Sequence, residues 1–207
     1  MFTCHESSST VAKHHALRCH PASPCAVVRA PNGPRPYREA LLGCAIEGSA
    51  SLGEGGALAL SYRLRGDPES IRIPEPVPPS ATDDLWQHTC LEAFVAAFND
   101  PEYREFNFAP SGQWASYRFV AYRERDFGFV PSDAPQFAFR RRADGFQLDA
   151  LLAPELLPAS AILNISLTAV IEASNGSKSY WALSHCAAQP DFHLRQSFSL
   201  TLQRTTS

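Results

Sequence analysis

Alternation at a period of two constrains this chain more than any other feature. Leu163, Ile165, Leu167, Ala169 and Ile171 alternate with Asn164, Ser166, Thr168, Val170 and Glu172. Leu58, Leu60, Tyr62 and Leu64 alternate with Ala57, Ala59, Ser61 and Arg63, and Phe198, Leu200 and Leu202 with Ser199, Thr201 and Gln203. Successive side chains of an extended strand point to opposite faces, so each segment presents one apolar face and one wetter face. Prolines gather between these segments, at 31–36, 68–79 and 131–135. Proline lacks an N–H donor and interrupts ladders and helices alike, so the clusters read as connections. Many short strands separated by turn signals imply an all-β sandwich or barrel.

Two stretches compete for a helical reading. Residues 151–160 carry Pro154 and Pro158, which leave room for a turn at most. Residues 85–98 have helical propensity, with Asp83 or Asp84 available as a cap, but alternation favours a strand. Trp86, His88, Cys90, Glu92 and Phe94 then share one face, and Leu85, Thr89, Leu91, Ala93 and Val95 the other. There is no internal repeat; residues 1–12 read as a flexible N-terminal tail and 13–207 as a single domain.

Charge narrows the partners. Lys and Arg number 18 against 21 Asp and Glu, a net charge of −3, which does not suit a phosphate backbone; no nucleic-acid partner is expected. No stretch reaches the roughly 18–20 consecutive apolar residues of a spanning helix, so no membrane partner is expected either. The first ten residues lack a basic segment followed by an apolar run, which points to the cytoplasm and reduced thiols. The six cysteines are spread thinly and none forms a Cys-x-x-Cys pair. Cys4, His5, His14, His15, Cys19 and His20 crowd the N-terminus and read as adventitious ligands on an unpacked tail.

Parity also suggests where chemistry gathers. In 103–108, Phe106 and Phe108 point one way and Glu105 and Asn107 the other. Beyond a turn at Pro110, Ser111 and Gly112, Tyr117, Phe119 and Ala121 form the apolar set, and Trp114, Ser116 and Arg118 the second set. With both apolar sets turned inward, Glu105, Asn107, Trp114 and Arg118 share an exposed face, joined by Trp86, His88 and Glu92 from a neighbouring strand. Indole plates, carboxylates, an amide and a guanidinium suit a sugar, whose C–H face stacks on aromatic rings while its hydroxyls pair with planar polar groups.

The run Leu85-Trp86-Gln87-His88-Thr89-Cys90-Leu91-Glu92-Ala93-Phe94 resembles the strand motif of DOMON-like domains related to family 9 carbohydrate-binding modules. Glu105–Trp114, Ser179–His185 and Pro190–His193 resemble blocks of a bacterial DOMON-like subgroup of unassigned function. The resemblance spans roughly 15–203 and implies an immunoglobulin-like or jelly-roll β-sandwich. In the sugar-binding relatives two tryptophans enclose the ligand, with a Glu on the strand of one of them. Trp86 and Glu92 fit that spacing, and Trp181, or Trp114, supplies the second wall. His88 and Thr89 stand where the superfamily usually has an acidic pair.

The leading expectation is therefore a non-catalytic binder of a small polar ligand, a saccharide first, with no cofactor. Trp86, His88, Glu92, Glu105, Asn107, Trp114, Arg118 and Trp181 are its expected ligand-binding residues. One alternative is bis-His haem ligation by two of His88, His185 and His193; Met1 is the sole methionine, which excludes Met/His ligation. Another is glycoside hydrolysis by Glu92 and Glu105, since that chemistry needs two carboxyls. His185, Asp191 and His193 are weak metal candidates, and an exposed aromatic face can also seat a protein partner.

Overall fold

In a computed structural model that describes residues 13–19 and 44–204, the alternating segments become strands, twelve among the described residues. In chain order they are β1 (His15–Cys19), β2 (Ala45–Leu52), β3 (Leu58–Arg65), β4 (Cys90–Ala97), β5 (Tyr103–Phe108) and β6 (Trp114–Ala121). There follow β7 (Glu124–Arg125), β8 (Gln136–Arg142), β9 (Gly145–Leu152), β10 (Ile162–Glu172), β11 (Lys178–Ala182) and β12 (Leu200–Gln203). The proposed tail over 1–12 and the first proline cluster lie outside the described residues.

All pairings between named strands are antiparallel, in the order β7-β6-β5-β4-β10-β11-β1-β2-β3-β9-β8, with β12 beside the start of β10. This path folds into two layers because β1 changes partner along its length. His15, Ala16 and Leu17 pair with β2, and Arg18 and Cys19 with β11. A back sheet (β2, β3, β9, β8) thus faces a front sheet (β7, β6, β5, β4, β10, β11).

The main core fills the space between the layers. From the back sheet come Ile46, Leu58, Leu60, Tyr62, Leu64, Phe146 and Leu148; from the front come Leu91, Ala93, Val95, Phe106, Phe108, Leu163, Ile165 and Leu167. The inward set of β10 is the one its alternation gives. Tyr62 carries its hydroxyl across the core and donates to the Glu92 carbonyl at 2.6 Å, so no polar atom of that ring is stranded. At Gly48 a Cβ would stand 2.9 Å from Leu167 and 3.0 Å from Leu17, so glycine lets the layers converge beside the crossing strand.

A second apolar cluster lies on the far face of the front sheet. Cys90, Phe94, Tyr103, Tyr117, Phe119 and Val170 project there and are covered by Phe192 and Phe198 from the segment between β11 and β12. The front sheet is therefore apolar on both faces, as expected where both are covered.

Candidate functional site

The segment over the front sheet closes only part of it. Beside the covered cluster lies a cavity of about 670 Å³, a size suited to a small organic ligand. Glu92, Phe94, Glu105, Tyr117, Phe119, Val170 and Tyr180 form its floor, projecting from five strands. Asp84 and Trp86 stand on one side, Arg123 and Arg125 on another, and Gln189, Pro190, Phe192 and His193 on the covering segment.

The strand expected over 85–98 begins later than the alternation suggests. Residues 85–87 form one 3₁₀ turn, and β4 starts at Cys90. Gln87 N–H donates to the Asp84 carbonyl at 3.0 Å and His88 N–H to that of Leu85 at 3.1 Å. Asp84 sits at φ 63°, a strained conformation for a residue with a side chain. Its neighbour Asp83 is fixed by the Tyr117 hydroxyl at 2.7 Å. Leu85 is buried in the second cluster, which leaves the adjacent Trp86 displayed at the cavity rim, 45 % exposed. Cys90, Glu92 and Phe94 do share the face that alternation assigns them.

The hairpin register corrects part of the expected polar face. Phe108 pairs with Trp114, Phe106 with Ser116, Glu105 with Tyr117 and Arg104 with Arg118. Cross-strand partners share a face, so Trp114 and Arg118 belong with Phe106 and Phe108, opposite Glu105. Arg118 is occupied there by Glu102 and Asp126. Trp181 is also misplaced by the sequence reading. It pairs with Ala169 on the inward face, is 4 % exposed, and donates its indole N–H to Ser179 Oγ at 2.9 Å. Its neighbour Tyr180 reaches the cavity instead. His88 lies outside the cavity, its Nδ1 2.7 Å from Glu172 Oε2.

Glu92, Glu105 and Asn107 do converge. Asn107 pairs with Glu92 across β4 and β5, and its Nδ2 donates to Glu105 Oε1 at 2.8 Å. Thr168 Oγ1 donates to Glu92 Oε2 at 3.3 Å. Glu92 Oε1 and Asn107 Oδ1 are buried with no hydrogen-bond partner among the described residues. Burial pushes the Glu105 carboxyl up to about 7, and burial and then the charge at Glu105 push Glu92 well above the usual carboxylate range. Ionisation of one of these carboxyls disfavours ionisation of the other.

His193 completes the floor. Tyr103 Oη accepts from Arg123 N–H at 3.1 Å, which directs its own proton to His193 Nδ1 at 2.8 Å. Nε2 then carries the imidazole proton, 3.9 Å from Glu105 Oε2. Burial, followed by the Arg123 charge, lowers His193 to about 4, so the ring is neutral at physiological pH. Arg123, at φ 58°, is held by Asp191 at 2.9 Å. Arg125 lies over the Tyr117 ring at 4.1 Å and reaches Asp83 at 3.3 Å. Neither arginine was marked by the sequence reading: Arg123 lies in the turn before β7 and Arg125 in that two-residue strand, and neither gives an alternation to read.

The weak metal candidates do not gather. Asp191 is taken by Tyr122, Arg123 and the His193 N–H, while His185 Nε2 lies 2.8 Å from the Arg18 carbonyl. Among the described residues no three His, Cys, Asp or Glu side chains are grouped to hold a metal. Of the three histidines considered for haem, His193 alone lines the cavity.

Solved structures share this architecture. A candidate carbohydrate-binding protein from Bacteroides uniformis ATCC 8492 superposes with a TM-score of 0.57 at 13 % identity, covering 77 % of this chain and 78 % of that one. A family 9 carbohydrate-binding module from Caldicellulosiruptor kristjanssonii, in complex with glucose, gives a TM-score of 0.50 at 11 % identity, covering 92 % and 86 %. The chain has the fold of a family 9 carbohydrate-binding module. No protein-family model and no curated protein matches its sequence. In this module-like fold the cavity lies on the outer face of the front sheet.

Proposed function

We propose that the protein binds a small saccharide in the front-sheet cavity, as a DOMON-like relative of the family 9 modules. One observation carries the reading: a half-exposed indole at the rim and a buried, unpartnered carboxyl oxygen on the floor line one cavity of about 670 Å³. Trp86 supplies a stacking surface, and Glu92 Oε1 accepts from a sugar hydroxyl. His193 Nε2 and Glu105 Oε2, 3.9 Å apart, are too far for a hydrogen bond to each other, and a second sugar hydroxyl beside them can pair with both. Tyr180 and Phe192, not Trp181, provide the further aromatic walls. One neighbour of known structure, a family 9 module in complex with glucose, supports the choice of ligand class.

Calorimetric titration with neutral mono- and disaccharides tests the proposal, with Trp86→Ala as the comparison. Saturable binding weakened about fivefold or more by the variant is expected, in line with an aromatic contact of about 1 kcal/mol. Absence of binding to the wild type across the panel refutes it. Because the hydrolytic alternative uses the same two carboxyls, aryl glycosides belong in that panel; their turnover would replace binding with catalysis.

A further inference from the structure

The charge around the cavity is one-sided once its pairings are counted. Two guanidiniums reach it, and each already faces a carboxylate: Arg123 lies 2.9 Å from Asp191 and Arg125 3.3 Å from Asp83. That leaves Asp84 at the rim and Glu92 and Glu105 on the floor. His193 offers no compensating charge, because it is neutral. Glu92 lines the cavity and is 3 % exposed, and its Oε1 accepts from nothing among the described residues. A buried acceptor in this state calls for a donor. A hydroxyl brings one hydrogen and no charge, whereas an ammonium brings three hydrogens and a charge. The exposed indole of Trp86 adds a surface that attracts cations.

Resting on the saccharide reading, we propose that the ligand is an amino sugar with a free amine, its ammonium seated on Glu92 Oε1 while the ring stacks on Trp86. An ammonium beside Glu92 favours its ionised form, so binding displaces a proton from the floor carboxyls. Arg123 and Arg125 face Glu105 and draw its carboxyl down, whereas the charge acting on Glu92 is that of Glu105. Tyr62, Cys90, Tyr103 and Tyr117 stay protonated through neutrality because burial raises each, and His193 stays unprotonated above about 4. Affinity for the amine therefore rises with pH between about 5.5 and 7, and that for a neutral sugar does not.

Calorimetry with D-glucosamine, N-acetyl-D-glucosamine, D-glucose and cyclohexylamine tests this, at about pH 7 and again at about pH 5.5. Glucosamine is expected to bind about tenfold more tightly than the two neutral sugars at the higher pH, the scale of a charge-assisted contact. In Glu92→Gln the preference should fall to about one. The four-ligand comparison on the wild type decides the matter even if the variant does not fold. Glucose or N-acetylglucosamine binding as tightly as glucosamine overturns the inference and leaves the saccharide reading standing. Cyclohexylamine binding where no sugar binds overturns the saccharide reading and, with it, the amino-sugar assignment. Failure of all four to bind overturns both.

Discussion

Replacing Glu105 by glutamine should change how stability depends on pH. The carboxyl is 6 % exposed, and burial pushes it from an ordinary 4.5 up to about 7. A carboxyl raised on folding makes its full contribution to stability below the ordinary value and loses it as pH rises through the folded one. Between about pH 5 and pH 8 the wild type should therefore lose roughly 2–3 kcal/mol at this site. Glu105→Gln keeps an Oε1 to accept from Asn107 Nδ2 and removes the ionisation. It also relieves Glu92 of a neighbouring charge, which adds to the effect in the same direction. His193, lowered to about 4, has the opposite slope, gaining stability as pH rises through its ordinary range, but it does so in both proteins. Urea denaturation of both at the two pH values isolates the difference. The variant should gain roughly 2–3 kcal/mol on the wild type between the lower and the higher pH. Parallel profiles, within about 0.5 kcal/mol, would show that the floor carboxyl ionises freely and would refute the reasoning.

The two other tryptophan predictions separate fold from site. Trp181→Ala empties a place in the main core and should cost about 3–5 kcal/mol in urea denaturation, leaving the sugar affinity of the folded fraction within about twofold. Trp86→Ala, the binding variant above, removes a half-exposed ring and should leave the denaturation midpoint nearly unchanged.

The β10 and β3 alternations were legible because each has one clearly apolar set, and those sets are the ones in the core. The β5–β6 hairpin was not. Tyr117 and Phe119 look as inward as Phe106 and Phe108, yet they lie on opposite faces of the front sheet. Where both faces are apolar, alternation no longer says which is which, and the register must come from the loop, here Ala109–Gln113. The same ambiguity misplaced Trp181 for Tyr180, neighbours of opposite parity on β11. Trp86 reached the cavity by a route the pattern did not contain, a 3₁₀ turn set by Asp84 and by the burial of Leu85. The arginines and the covering segment were out of reach because tertiary contacts place them: Asp191 on Arg123, and Phe192 and Phe198 on Phe94.

The three indole N–H resonances give the most direct test of the account. Trp86 stands at the cavity rim, Trp114 on the other face of the front sheet and Trp181 inside the main core. In an ¹⁵N correlation spectrum titrated with saccharide, the Trp86 resonance should move to saturation while those of Trp114 and Trp181 stay in place. A shift confined to Trp114 or Trp181, or three unmoved resonances at saturating sugar, would contradict the account.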